Sequence, residues 1–291
     1  MMYSSKKVAV IGSTGQLGSD LVKHLGEYGH EILPYSHSEL EVEDLENARN
    51  SILGSKADVV INCAAFHDVN LCEDMPNKAF STNAVGAQNI AKICQETDAL
   101  CVNISTYYVF DGESTKPYVE HDVPNPINVY GVSKSAGETL VKQSSTKWLT
   151  VRLASLFGSV GARGKRGNFF EAILKRAELG EPVKVITDSR TSITSSFDAS
   201  RTIAQLIYQG NTGIYHIANQ GACTWYELAC EALSCVGSEN PVLPITSSEY
   251  PARARRPRNV ALESVCLAES GVEALPHWKE ALCTYMGERF P

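Results

Sequence analysis

Tyr130 and Lys134 stand four residues apart in the segment Tyr130-Gly131-Val132-Ser133-Lys134. On a helix, that interval places both side chains on one face. A phenol beside an ammonium suits the reduction of a ketone. Hydride addition at carbon leaves an alkoxide that needs a proton. A free tyrosine, with a pKa of about 10, can donate that proton in principle. A nearby ammonium favours the phenolate and brings proton donation toward working pH. YxxxK alone is a common pentapeptide, and most instances are exposed helix. A third group is therefore expected, one that polarises the carbonyl. Ser105-Thr106 closes the run Leu-Cys-Val-Asn-Ile-Ser-Thr from Leu100. A hydroxyl at such a strand end can hydrogen-bond the ketone oxygen and stabilise the developing oxyanion. Thr106 is the expected catalytic member, with Ser105 beside the substrate.

A hydride needs a carrier, and the N-terminus offers a place for one. Gly12-Ser13-Thr14-Gly15-Gln16-Leu17-Gly18 follows the apolar run Lys7 to Ile11 and opens a helical pattern with Leu17, Leu21 and Leu25. Backbone amides at a helix start, backed by the helix dipole, suit a pyrophosphate. The glycines permit a tight turn, backbone approach to phosphate and close helix–strand packing. Gly12, Thr14, Gly15, Gln16 and Leu17 are the expected cofactor contacts. An acidic residue after the second strand selects NADH, and a basic one selects NADPH. Here Pro34-Tyr35-Ser36-His37-Ser38-Glu39 fits neither pattern, so the expectation is NADPH or NADH.

The elements that must position these groups alternate along the chain. Strands are expected at Lys7 to Ile11, from Glu31 to Leu33, Ala57 to Cys63, Leu100 to Ser105 and Leu149 to Leu153. Helices are expected at Gln16 to Leu25, Asp44 to Leu53, Pro76 to Thr97 as one long element, and Asn128 to Lys142. Strand–helix alternation of this kind implies right-handed βαβ units around a parallel sheet covered on both faces. The fold class is therefore α/β, a Rossmann-like doubly wound sheet with a smaller C-terminal α/β domain. Residues 1–158 are read as dinucleotide-binding and 159–291 as mainly substrate-binding, with segments near 183–210 returning to the first domain. Val183 to Ile186 and Gly213 to Ile217 read as strands, Ser200 to Gln209 and Trp225 to Val236 as helices. Pro241 to Pro257 reads as a Pro- and Arg-rich connection, and the tail as helical around Ala261 and Trp278.

Bulk composition is ordinary for a soluble globular protein. The chain has 291 residues, is 43% apolar and 20% charged, and carries a formal charge of −7. That balance offers no basic excess for nucleic acid or an anionic membrane. No run of about 18 apolar residues suggests a membrane span. No apolar stretch with a cleavage site precedes the first strand, so no signal peptide is expected. Nine cysteines are scattered without a CxxC pair, which fits buried free thiols in a reducing cytoplasm. The seven histidines show no zinc-like spacing, and no metal is expected.

Taken together, these residues resemble the dTDP-4-dehydrorhamnose reductase family of the extended short-chain dehydrogenase/reductases. The similar segments span nearly the whole chain. They are GSTGQLG from Gly12, VVINCAAFHDVNLCE from Val59, Asn83-Ala84 with Gly86, YVFDG from Tyr108 and PYVEHDVPNPINVYGVSKSAGE from Pro117. GIYHIANQGACTWYELA from Gly213 and RARRP from Arg253 extend the match. The resemblance implies reduction of a 4-keto-6-deoxy sugar on a nucleoside diphosphate by NAD(P)H. Thr106, Tyr130 and Lys134 would be the catalytic set, with Tyr130 and Lys134 also at the cofactor. Asn62, Ala64, Ala65 and Asn83 would line the cofactor, and Asn168 and Arg256 the substrate. A homodimer is the expected assembly.

Three departures fall on the substrate side. Tyr107 stands where the family usually has aspartate. Ser155 replaces a substrate-contacting tryptophan, removing a large stacking surface. Asp188 to Thr194 lacks the family's Gly and Pro. Two other expectations therefore stay open: a different carbonyl substrate, or a non-catalytic NAD(P)-binding subunit. Arg163, Lys165 and Arg166, or Arg253, Arg255, Arg256 and Arg258, could grip a diphosphate, or be a solvated basic surface. His67 could meet a ligand past its strand, Trp225 and Tyr226 read as packing, and one of Tyr107 and Tyr108 is expected to point into the core.

Overall fold

The computed structural model describes residues 5–160, 169–250 and 253–290. Strand β1 (Lys7–Ile11) shows how its sequence builds the centre of the molecule. Its side chains alternate between faces. Val8 and Val10 enter one core, Ala9 and Ile11 the other. Both faces are apolar because helices cover both. β2 (Glu31–Tyr35), β3 (Val59–Asn62), β4 (Leu100–Thr106) and β5 (Trp148–Leu153) join it. After the short β6 (Ser155–Phe157), β7 (Val183–Ile186), β8 (Arg190–Thr191) and β9 (Ile193–Ser195), the main sheet gains β10 (Gly213–Ile217). Its strand order is β10-β5-β4-β3-β1-β2, and every pairing is parallel. The order reverses between β1 and β3. A crevice opens at the carboxyl ends of strands at such a point.

Helix α1 (Gln16–Glu27) and α8 (Ser196–Gln209) lie against each other on one side of this sheet. Helices α2 (Leu45–Ser55), α5 (Ala87–Thr97) and α6 (Val129–Ser144) contribute to the other side. Between them, α3 (Val69–Asp74) and α4 (Pro76–Phe80) are short. The single helix expected from Pro76 to Thr97 is interrupted. Ser81–Gly86 is a π-helical turn, a widening often found at functional sites. Close packing explains it. A Cβ on Gly137 of α6 would lie 2.3 Å from Asn83 O, and one on Gly86 would lie 2.6 Å from Val42 Cγ2.

A second core joins α7 (Phe169–Glu178) with α9 (Trp225–Cys235), the latter following β11 (Cys223–Thr224). Val183–Ile186 does not return to the main sheet. It pairs in parallel with β12 (Val242–Ile245), inside the stretch expected to be connection. β13 (Asn259–Val260) pairs with β8. Among the described residues the tail is helical in α10 (Val265–Glu269) and α11 (Trp278–Arg289); Ala261 directly follows β13 and lies in neither. One cysteine expectation is corrected. Cys235 and Cys283 form a disulfide that joins α9 to α11 across 48 residues. No local spacing in the sequence announces a pair so far apart. The other seven cysteines are free. No described helix is long and apolar enough to cross a membrane.

Candidate active site

The glycine loop ends β1 with Gly12 at φ +74°, a conformation that favours glycine. A Cβ at Gly12 would come within 3.3 Å of the Ala64 nitrogen. One at Gly18 would lie only 2.2 Å from Gly12 O, so α1 can start this close to the loop only with glycine there. Gly15 caps α1 and offers no side chain to its first N–H groups. Those donors therefore suit a phosphate. Gln16 Nε2 is buried and has no hydrogen-bond partner among the described residues. An unmet donor beside a glycine cradle fits the pyrophosphate of a dinucleotide.

From this loop a single cleft of about 1880 Å³ runs across the carboxyl ends of the strands. Gly12, Thr14, Gly15, Gln16, Leu17, Ala64, Ala65, Thr106, Tyr107 and Tyr130 line it, as do Ser155 and Arg256. Asn62 and Asn83 do not line it. Asn62 Oδ1 accepts from Ala64 N at 3.1 Å and shapes the turn after β3. Asn83 is 1% exposed. Its Oδ1 accepts from Phe66 N at 2.8 Å, and its Nδ2 donates to Phe66 O and to Ser133 Oγ, both at 3.0 Å. Ser133 Oγ in turn donates to Tyr130 O at 2.8 Å. Asn83 thus fastens one cleft wall to the helix carrying Tyr130, and its amide is spent on protein atoms.

Helix α6 is placed from its first turn. Asn128 Oδ1 accepts from Gly131 N at 2.8 Å, and its Nδ2 donates to Arg255 O at 2.9 Å. A Cβ on Gly131 would meet Tyr108 O at 2.2 Å, so glycine lets α6 press against the end of β4. Tyr130 then reaches Thr106. Thr106 Oγ1 accepts from Tyr108 N at 3.3 Å and hydrogen-bonds the Tyr130 phenol. Burial pushes the Tyr130 pKa up, and the Thr106 hydrogen bond opposes that push. The phenol therefore stands protonated. Lys134 lies one turn deeper and is 3% exposed. Its Nζ donates to Ile104 O at 2.5 Å. Burial lowers its pKa to about 8, against the opposing pull of Glu138 and Cys63.

Ser105 borders the cleft, but its hydroxyl is engaged by a protein partner. It donates to Glu138 Oε1 at 2.5 Å. Alternation along β4 explains this: Cys101 faces the core on the α6 side and Val102 the opposite core, so Ser105 follows Cys101. Tyr107 is the tyrosine that enters the core, at 7% exposure, while Tyr108 is half-buried. Their rings stack at 4.6 Å, and Tyr108 meets Tyr130 edge-on at 5.5 Å. Trp225 packs on Phe169 at 4.9 Å and also lines the cleft, as does His67. Arg253 pairs with Asp74, leaving Arg255, Arg256 and Arg258 on the cleft. Asn168, Arg163, Lys165 and Arg166 lie outside the described residues.

A family model described as the RmlD substrate binding domain matches residues 6–289. The chain belongs to that family, the dTDP-4-dehydrorhamnose reductases. It is 35% identical to the spore coat polysaccharide biosynthesis protein SpsK of Bacillus subtilis, covering 97% of this chain and 98% of that one. It is 33% identical to a dTDP-4-dehydrorhamnose reductase of Mycolicibacterium smegmatis, over 96% and 84% of the two chains. The Bacillus anthracis dTDP-4-dehydrorhamnose reductase, solved in complex with NADP, superposes with a TM-score of 0.93. It is 32% identical, over 98% of this chain and 99% of that one. Like its relatives, this reductase is a nicotinamide-dependent enzyme of the extended short-chain type.

Its departures from the family pattern converge in space. Ser155 Oγ donates to Tyr107 OH at 3.3 Å. Ser155 also pairs with Ile193, inside the altered Asp188 to Thr194 segment. Sequence reasoning missed Glu138, Arg152 and Ser133. Glu138 was within reach, because it follows Lys134 by one turn of the same helix.

Proposed function

We propose that this chain reduces the 4-keto group of a nucleotide-linked 6-deoxy sugar, in the manner of a dTDP-4-dehydrorhamnose reductase. One observation carries the reading: Thr106 hydrogen-bonds Tyr130 beside buried Lys134, at the end of the strand facing the glycine-loop cleft. NADPH or NADH, when bound along Gly12 to Leu17, supplies the hydride. Tyr130 is held protonated, the state a reduction needs. Thr106 and Tyr130 hydrogen-bond the ketone oxygen, and as charge develops there Tyr130 gives up its proton. Lys134, cationic below about pH 8, stabilises the phenolate that remains. Arg256 on the cleft lip contacts the diphosphate.

The test is a panel of nucleotide-linked 4-keto sugars, followed by loss of reduced-nicotinamide absorbance and by product analysis. Turnover of a dTDP-linked 4-keto-6-deoxy sugar above all others is the expected result. The convergence of Tyr107, Ser155 and Ile193 favours one second reading, a different keto sugar or other carbonyl compound. Preferential turnover of another panel member would establish it. A purely non-catalytic role sits poorly with an intact Thr106, Tyr130 and Lys134. The reading includes a homodimer in the cytoplasm as its setting, which sizing of the purified protein and fractionation of cells test.

A further inference from the structure

Beneath the cleft floor lies a buried ionic chain that the chemistry above does not use. Arg152 of β5 is 1% exposed. Its Nε donates to Glu138 Oε1 at 2.9 Å and its Nη2 to Glu138 Oε2 at 2.7 Å. Glu138 Oε1 also accepts from Ser105 Oγ. On its far side, Arg152 Nη1 lies 3.4 Å from His216 Nε2. His216 Nδ1 faces two carbonyls, Tyr118 O at 3.1 Å and Glu263 O at 3.0 Å. Nδ1 must therefore carry the proton, which makes Nε2 the acceptor and Arg152 the donor. Burial keeps that imidazole neutral. Glu120 is engaged separately, accepting from His216 N at 2.9 Å and Val265 N at 3.0 Å. Among the described residues, Glu138 is the carboxylate that pairs with Arg152.

Glu138 holds a singular place in this chain. It follows Lys134 by one helical turn, and it grips Ser105, the residue before Thr106. One carboxylate thus touches the surroundings of two of the three reactive groups. We propose that Glu138 is a positioning residue for the proton-delivery centre, fixing Thr106 through Ser105 and holding Lys134 as an ammonium. The proposal rests on the reductase reading. Around Lys134, the groups that act on its charge are Glu138 on α6 and Cys63 past β3, with Arg152 of β5 behind Glu138. The Ile104 carbonyl of β4 accepts its proton. Of the titratable neighbours, only Glu138 and Cys63 favour the charged lysine. Cys63 is a poor anion, because burial raises its thiol to about 12. The ammonium therefore depends on Glu138.

A buried pair is best removed whole, since a lone charge left behind is strongly destabilising. The test uses Glu138→Met with Arg152→Met, and separately Ser105→Ala. Lysine-selective isotope labelling and NMR read the Lys134 titration in the cofactor-free protein. In the double variant its midpoint should fall, because the anion one helical turn away is lost while the cation removed with it stands behind that anion. The alkaline limb of the kcat profile should move down in pH by the same amount, with NADPH affinity unchanged. Ser105→Ala should lower kcat about fivefold with KM unchanged and leave the titration in place. A folded double variant whose Lys134 titrates as in wild type overturns the proposal. If the double variant does not fold, Ser105→Ala decides: wild-type kcat overturns it. Absence of turnover by wild type on every keto sugar would sink the reductase reading instead, while the NMR titration still judges Glu138.

Discussion

Replacing Gly18 by alanine tests whether the glycine loop is the cofactor cradle. The added Cβ would sit 2.2 Å from Gly12 O, 2.9 Å from Gly12 C and 2.9 Å from Ser13 Cα. All three are backbone atoms, so no flexible side chain can yield. Ordinary contact begins at 3.4 Å; α1 and the loop must therefore separate by roughly an ångström. Overpacking of this kind costs about 1–3 kcal/mol. The separation falls on the amides proposed to meet the pyrophosphate, so on that proposal most of the cost should appear in binding. About 2 kcal/mol is a factor of about 30 in Kd. Titration by reduced-nicotinamide fluorescence reads the affinity, and a thermal melt reads the fold. Gly54→Ala is the matched control. Gly54 lies in α2 with no atom within 4 Å of its would-be Cβ. That change should leave affinity alone and stabilise by up to about 1 kcal/mol. A folded Gly18→Ala protein with wild-type affinity for both cofactors would refute the assignment of the loop.

Other consequences follow from the same geometry. Arg152→Met alone strands the Glu138 carboxylate in the interior and should cost about 3–5 kcal/mol in urea unfolding; a loss under 1 kcal/mol would show that the pair is not buried as described. His216 has its pKa lowered from 6.5 to about 4 by burial, so between those values the unfolded chain binds the extra proton. Stability should rise with pH across that window and fall as acid approaches pH 4, whereas His216→Gln should flatten the slope; an equal slope in both proteins argues against it. Tyr107→Phe and Ser155→Ala each remove one end of a single hydrogen bond, so their effects on KM should not multiply in the double variant. Fully multiplicative effects would mean that the two residues act apart.

Much of the six-stranded sheet and its helices was legible in the sequence, and for identifiable reasons. Apolar runs such as Lys7 to Ile11 are long enough to mark buried strands, and Gly12, Gly15 and Gly18 mark a close backbone approach at the end of the first of them. The β7–β12 pairing was hidden. Its second partner, Val242–Ile245, contains a proline and lies in a stretch rich in Pro and Arg. Strands of two or three residues such as β8 and β13 carry no period to detect. The Cys235–Cys283 bond depends on how α9 and α11 pack, which no local spacing reveals. Within the site, residue type was read more easily than direction. Ser105 and Asn83 have the polarity of ligand contacts, yet both are spent on protein partners. Thr106 and Ser105 differ by one position, and strand alternation alone separates a cleft hydroxyl from a buried one.

The central claim is that Tyr130 delivers the proton during a nicotinamide-dependent reduction. Tyr130→Phe removes one oxygen and keeps the ring that meets Tyr108. The measurement is single-turnover reduction of a dTDP-linked 4-keto-6-deoxy sugar, alongside the cofactor Kd of the same protein. The account predicts a loss of about 10²-fold or more in rate, with Kd unchanged. A rate within a few fold of wild type would contradict it.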